Sequence, residues 1–275
     1  MLRIFVDSGS SIKQEEKEKL NVELIPLRYL MGDEEYEDGV DLSIDEFYEL
    51  LIGKKLFPKT SLPRLDVLQE KVTKYTNNGD DVIIITISSG ISGTFSAIKT
   101  LFEENKKVTV IDSLSAVGGI RILVEEINRN REDSVKNIVA KINALIPRLK
   151  IAAIPENLDY LLKGGRLSKK EWIFGSILNI KPIITFVKGK VKVLSKKIGL
   201  KNAMKALANC LKEFNCDENY PIVASYTYNP ANLDTVISQT DKKYHSQMTV
   251  RDNLDPVIAS HWGPNAFGYI FVSKE

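Results

Sequence analysis

Apolar positions along this chain fall in short runs, and the texture of those runs changes near residue 150. "LRIFVD" (2–7) reads as a buried strand, followed by a polar helix. "VELIPLRYL" (22–30) is extended, with Pro26 marking an irregular or edge position. In "SIDEFYELLIG", Ser43 and Glu46 stand three apart as a capping box. Ile44, Phe47, Leu50 and Leu51 then share one helical face. "RLDVLQEKVTKYTNNG" repeats that period and stops at Gly79. "DVIIITIS" (81–88) does not alternate, which marks a strand covered on both faces, and "VTVID" (108–112) is a further strand. "SVKNIVAKINALIP" closes this half as a helix. Strands joined by helical stretches of this length predict a parallel sheet with right-handed crossovers.

Beyond residue 150 strands outnumber helices. "IAAIP", "KPIITFV", "KVKVLS", "IVASYTY", "VIASHW" and "YIFV" read as strands, with three helical segments among them and a hairpin around Gly189 in "VKGKVKV". That ratio predicts a mixed or antiparallel sheet. The expected fold class is α/β in two domains, residues 1–149 and 150–275, the first mainly a parallel sheet with flanking helices and the second a mixed sheet.

Composition removes several functions. Lys and Arg total 38 against 36 Asp and Glu, giving +2 with the signs interspersed, so no basic stripe invites nucleic acid. No apolar run reaches the roughly 18 residues of a membrane span. The N-terminal "MLRIFVDSGS" is too short in its apolar part for a signal peptide, so the expected location is the cytoplasm. Two histidines, His245 and His261, are too few for a histidine-rich metal centre. Cys210 and Cys216 match no common zinc or redox spacing and are expected as buried neutral thiols.

The densest chemistry is "ISSGISGTFSA" (87–97), at the junction of a strand and a helix. In open α/β sheets ligands bind beyond the carboxyl ends of strands. The first N–H groups of a helix lack partners and carry partial positive charge. Gly90 and Gly93 let backbone approach a ligand, while Ser92 and Thr94 offer hydroxyl donors. This is the chemistry of an anion site; a simple capped turn needs only one hydroxyl. A phosphate-binding P-loop fails, because no lysine precedes Lys99. A nucleophile elbow nearly fits at Gly90-Ile91-Ser92, but the following glycine is misplaced by one residue. The order Ser92, then Asp112 or Asp255, then His261 keeps a serine esterase open as an alternative. A clamp that holds a carboxylate without reacting is the third reading.

Several stretches now matter together: "FVDSGSSI", "PLRYLMGDEEYEDGVDLSIDEFY", "PKTSLP", "SSGISGTFSA", "VIDS", "NLDYLLKGGRLS", "SILNIKPIITFVKGK" and "HWGPNAFG". In this order and spacing the chain resembles the DegV family of bacterial fatty-acid-binding proteins, which includes the FakB carrier subunits of fatty acid kinase, from residue 4 to residue 272. The resemblance implies a non-catalytic lipid carrier with a long-chain fatty acid in a tunnel between two domains and no other cofactor. By motif position it places the carboxylate at Thr60, Ser92 and His261, with Ser61, Gly93, Thr94 and Arg166 as further candidates. Phe95, Ile177, Ile180 and Phe267 are candidates for the tunnel wall. It implies a partner kinase that phosphorylates the presented carboxylate. One position departs from the pattern: where many members carry a basic residue after "KGKVKVLSKK", this chain has Ile198. A carrier for another anionic lipid is the remaining alternative.

Overall fold

The structure is a computed structural model, described here over residues 1–170, 172 and 179–274. Its chain separates into two compact units: Met1–Pro147 with Asp255–Val257, and Arg148–Leu254 with Ile258–Glu275.

In the first unit the strands are β1 (Leu2–Asp7), β2 (Glu23–Ile25), β3 (Arg28–Met31), β4 (Glu34–Glu37), β5 (Lys59–Ser61), β6 (Asp81–Thr86) and β7 (Val108–Asp112). Four of them form a sheet in the order β2-β1-β6-β7, parallel throughout. The unbroken apolar run of β6 is explained by cover on both faces. Phe5, Val82 and Ile84 pack with Leu68 and Val72 of the helix Leu65–Asn77, with Ile98 of the helix Thr94–Leu101 and with Phe102, which caps that helix. On the opposite face Ile4, Val6, Ile83 and Ile85 are equally buried. Each such side chain contributes about 1.5–3 kcal/mol by leaving water, which makes this sheet a firm base for the loops at its carboxyl end.

The capping box holds as read: Glu46 N–H donates to Ser43 Oγ at 3.3 Å and Ser43 N–H to Glu46 Oε2 at 2.8 Å. One expectation is corrected. The polar helix after β1 shrinks to 3-10 turns at Ser8–Ser10 and Gln14–Glu16 and one short helix, Lys17–Leu20. Asp7 captures the Gly9 N–H at 3.1 Å and Ser11 turns left-handed at φ 52°, so a helix cannot start there. The acidic stretch Glu34–Glu37 forms a strand, β4, paired with β3, and β5 adds on the other side. Tyr29 stacks on Tyr36 at 5.5 Å and meets Phe47 edge-on at 5.7 Å, giving this small antiparallel sheet an aromatic core of its own.

The second unit holds β8 (Leu149–Ile154), β9 (Ile180–Val187), β10 (Lys190–Ile198), β11 (Val223–Tyr226), β12 (Val250–Asn253) and β13 (Phe267–Val272). They form a mixed sheet, β10-β9-β8-β13-β11-β12, in which β11 and β12 run parallel and the other pairs antiparallel. Lys188 (φ 49°) and Gly189 (φ 75°) make the tight hairpin turn between β9 and β10. Ala153 stands opposite Ile184 where this hairpin joins β8. The core lies under the helices Leu200–Glu213 and Ala231–Gln239 and includes Leu207, Leu211, Leu233, Val236, Tyr269 and Phe271. Cys210 and Cys216 are free and buried in it, and burial pushes both thiols up to about 12, so they are inert at neutral pH.

"VIASHW" is corrected from strand to helix, Pro256–Trp262. Pro256 stands at the first helical position, where a missing N–H costs nothing, and Val257, Ile258, Ala259 and Trp262 bury a helical face. An apolar run this short fits either period. The strand passed over in this half of the sequence is β12, as β4 and β5 were in the first. Among the described residues no helix is long and apolar enough to cross a membrane.

Candidate functional site

Loops at the carboxyl ends of β1, β6 and β7 are laced to one another. The Asp7 carboxylate, fully buried, accepts Gly9 N–H at 3.1 Å through Oδ1 and Ile87 N–H at 2.8 Å through Oδ2. Burial pushes this acid up to about 7 against the pull of those two donors. Gly9 is required by space, since a Cβ there would stand 2.7 Å from Ile87 Cδ1. Its carbonyl accepts Val117 N–H at 2.7 Å, and Ser88 N–H reaches the Ser115 carbonyl at 2.9 Å. Val117 carries φ 45°, an unfavourable conformation for a β-branched residue, held by these contacts.

On this base stands the segment 87–97. Asp112 Oδ1 accepts Ser89 N–H at 3.0 Å and Leu114 N–H at 3.1 Å, tying two loops together. Ser88 Oγ accepts Gly90 N–H at 3.1 Å, and the Ser88 carbonyl accepts Ser92 N–H at 3.1 Å. The helix Thr94–Leu101 starts immediately afterwards. Ser92 Oγ lies 2.9 Å from Thr94 Oγ1 and accepts Thr94 N–H at 3.3 Å. Thr94 is fully buried, whereas Ser92 is half-buried and Gly93 exposed. The two hydroxyls therefore form a fixed pair at a helix N-terminus, one of them reachable from outside. A Cβ on Gly93 would stand 3.7 Å from Leu62 Cδ2, so the stretch 58–63 lies beside this junction. Thr60, half-buried, sits on β5 opposite Tyr29, which places its hydroxyl on a strand; the helix that follows takes Arg64 as its N-cap.

A second group of candidate residues gathers in the other unit. The helix Asp159–Lys163 ends at Gly164, with Gly165 left-handed at φ 74°. Gly165 N–H reaches the Leu162 carbonyl and Arg166 N–H the Leu161 carbonyl, both at 2.9 Å, a Schellman ending. Against this ending lies His261, on the helix Pro256–Trp262. A Cβ on Gly164 would stand 2.2 Å from His261 Nδ1, so only glycine leaves room for the ring. Gly263 is pressed against the Tyr160 ring in the same way, its Cβ position 2.4 Å from Cδ2. Arg166 donates to the Gly164 carbonyl. Burial first, and the Arg166 charge second, lower His261 to about 3, so the imidazole is neutral at physiological pH. "NLDYLLKGGRLS" and "HWGPNAFG", more than ninety residues apart in sequence, thus build one cluster.

Of the other candidates, Ser61 is exposed on β5, and Phe95 is half-buried with Lys99 Nζ 5.6 Å from its ring centroid. Ile180 opens β9, half-buried, opposite Ile198. Phe267 is 3% exposed within the second unit's core. Ile177 lies outside the described residues. Ile198 is 70% exposed on β10. The acids considered for an esterase are both engaged: Asp112 holds two backbone N–H groups, and Asp255 is bonded to Lys13. The charged neighbour that acts on His261 is a cation, Arg166, which opposes the protonation a general base must undergo. Asp7 was given no role from the sequence, although an acid that ends an apolar strand before Ser-Gly is a recognisable turn signal.

Comparison with known proteins agrees over the full length. The DegV family profile matches residues 1–274. A DegV domain-containing protein of Caldanaerobacter subterraneus subsp. tengcongensis is 30% identical over 278 residues, covering 99% of both chains. A fatty acid binding DegV family protein from Streptococcus agalactiae superposes with a TM-score of 0.89 at 26% identity, covering 100% of this chain and 99% of that one. A stearic acid-binding protein from Eubacterium ventriosum gives 0.87 at 26% identity with the same coverage.

Proposed function

The chain belongs to the DegV family, and we propose that it is a carrier for a long-chain fatty acid that presents the carboxylate to a partner kinase for acyl-phosphate formation. The observation that carries this reading is the hydroxyl pair of Ser92 and Thr94 at a helix N-terminus beside the 58–63 stretch, in a fold shared end to end with proteins described as fatty acid binding. In this reading Thr60 and Ser92 donate to the carboxylate and the neutral His261 supplies a further polar contact, while the acyl chain is enclosed in an apolar tunnel. Transferring about 14 methylenes at roughly 0.8 kcal/mol each gives about 11 kcal/mol before the costs of binding. Head-group hydrogen bonds add about 1–3 kcal/mol each. The tail therefore supplies affinity and the hydroxyls supply position, which is what a phosphoryl-transfer partner requires.

The protein is read as non-catalytic by itself, and the engagement of Asp112 and Asp255 elsewhere supports that over an esterase. Organic extraction of the purified protein followed by mass spectrometry tests the proposal. A stoichiometric fatty acid is expected, and delipidated protein should take one up. Recovery of no fatty acid, with no uptake on addition, refutes the carrier; labelling of Ser92 by a fluorophosphonate with ester turnover would install the esterase instead.

A further inference from the structure

The first unit contains a cleft of about 420 Å3 whose lining includes none of Thr60, Ser92 and Thr94. Its volume lies within the range of small-molecule sites. Ile12, Leu24 and Ile44 contribute apolar wall, and Lys13, Asp38 and Asp255 contribute charge. Asp38 is 2% exposed. Its Oδ1 accepts Val257 N–H at 3.0 Å and the Ser8 hydroxyl also acts on the carboxylate, but Oδ2 is buried with no hydrogen-bond partner among the described residues. Buried carboxylate oxygens are ordinarily satisfied, because an orphaned one costs about 1–3 kcal/mol or more. Asp255 stands close enough for its charge to act on Asp38, and the Lys13 ammonium is bonded to Asp255. Two buried carboxylates thus face one partly exposed ammonium.

A metal ion is a poor match, since no group of three or more carboxylate, histidine or cysteine side chains suited to one occurs among the described residues. A hydrocarbon wall beside a carboxylate with an open acceptor suits a different cation. We propose that this cleft binds a small organic ammonium compound, its N–H donating to Asp38 Oδ2 and its short hydrocarbon body lying against Ile12, Leu24 and Ile44. Burial, reinforced by the Asp255 charge and opposed by Ser8, Val257 N–H and Lys13, pushes Asp38 up to about 8. An arriving ammonium takes the place of the proton. The proposal stands apart from the fatty-acid reading and shares none of its head-group residues.

Isothermal titration of the full chain, with and without bound fatty acid, tests it using n-butylammonium and the neutral 1-pentanol. Saturable single-site binding is expected in both forms, with the ammonium at least about tenfold tighter than the alcohol. Asp38→Asn keeps an acceptor for Val257 N–H and should weaken the ammonium at least about tenfold while fatty-acid content is unchanged. Should that variant fail to fold, Ile44→Trp fills the cleft from its wall without touching the carboxylate and should also abolish binding. Equal affinity for ammonium and alcohol, no saturation at millimolar concentration, or unaltered binding in a folded Asp38→Asn or Ile44→Trp variant each overturns the proposal. Loss of ammonium binding on fatty-acid loading overturns it as well, by assigning the cleft to the lipid.

Discussion

The imidazole of His261 fills the volume that a side chain at position 164 would need, with Nδ1 2.2 Å from the point where a Cβ on Gly164 would stand. The glycine pair in "KGGRLS" therefore divides its duties. Gly164 makes room for the ring, and Gly165 supplies the left-handed turn with open space around it. Gly164→Ala should displace His261 and lower retained fatty acid several-fold, at a stability cost of about 1–3 kcal/mol. Gly165→Ala should cost about 1 kcal/mol by strain and leave lipid content intact. Lipid mass spectrometry beside urea melts separates the two; equal lipid content in both variants would show that the ring's position does not matter.

Removing the head-group hydroxyls is expected to loosen the ligand before the fold. Ser92→Ala takes away the partner of Thr94 Oγ1 and the acceptor of Thr94 N–H, a loss of about 1 kcal/mol in stability. Combined with Thr60→Val, it should weaken fatty-acid affinity by about tenfold or more in a fluorescent displacement assay. Unchanged affinity, with unchanged acyl-phosphate formation by a kinase, removes both residues from the site.

Three buried groups give stability a pH dependence whose sign can be worked out. Asp7 and Asp38 are raised to about 7 and about 8 from 3.8, so folding favours their protonated forms. Their contribution is complete below pH 3.8 and is lost as pH rises through 7 and 8. His261 is lowered from 6.5 to about 3, so its contribution is present above 6.5 and lost as pH falls toward 3. Between pH 6.5 and 8 the loss at the carboxylates outweighs the remaining gain at His261, and unfolding free energy should fall by about 2 kcal/mol. Denaturant melts across that window in wild type and in Asp7→Asn, where the slope should flatten, check this; stability that climbs over the window contradicts it.

Ile198 offers a test of the partner. It is 70% exposed on β10 with Lys196 and Lys197 just before it, so Ile198→Arg should change stability by less than about 0.5 kcal/mol. If a kinase docks on this face, the variant should alter acyl-phosphate yield several-fold in a coupled assay with lipid content constant. An identical yield places the docking surface elsewhere.

What could be read from residues alone follows from where local and long-range forces agree. β6 was legible because five buried apolar or β-branched residues in a row leave no alternative to a covered strand. Ser43 and Glu46 were legible because a capping box is complete within four residues. "VIASHW" misled, since neighbouring Pro256 and the parallel pairing of β12 with β11 decide its state, and neither shows in the apolar run. Glu34–Glu37 were hidden for a similar reason: their strand depends on Tyr36 stacking over Tyr29. Within the site, Ser92 announced itself through hydroxyl density. The contact of His261 with Gly164 did not, because ninety-seven residues separate them.

Three residues, Asp255–Val257, belong to the first unit although the chain on either side of them belongs to the second. A gene cut after Pro147 would therefore yield an N-terminal fragment missing its own plug, with Asp38 deprived of the Val257 amide and Lys13 of Asp255. Such a fragment should still build the β2-β1-β6-β7 sheet, whose strands all precede Pro147, and lose stability chiefly around Lys13 and Asp38.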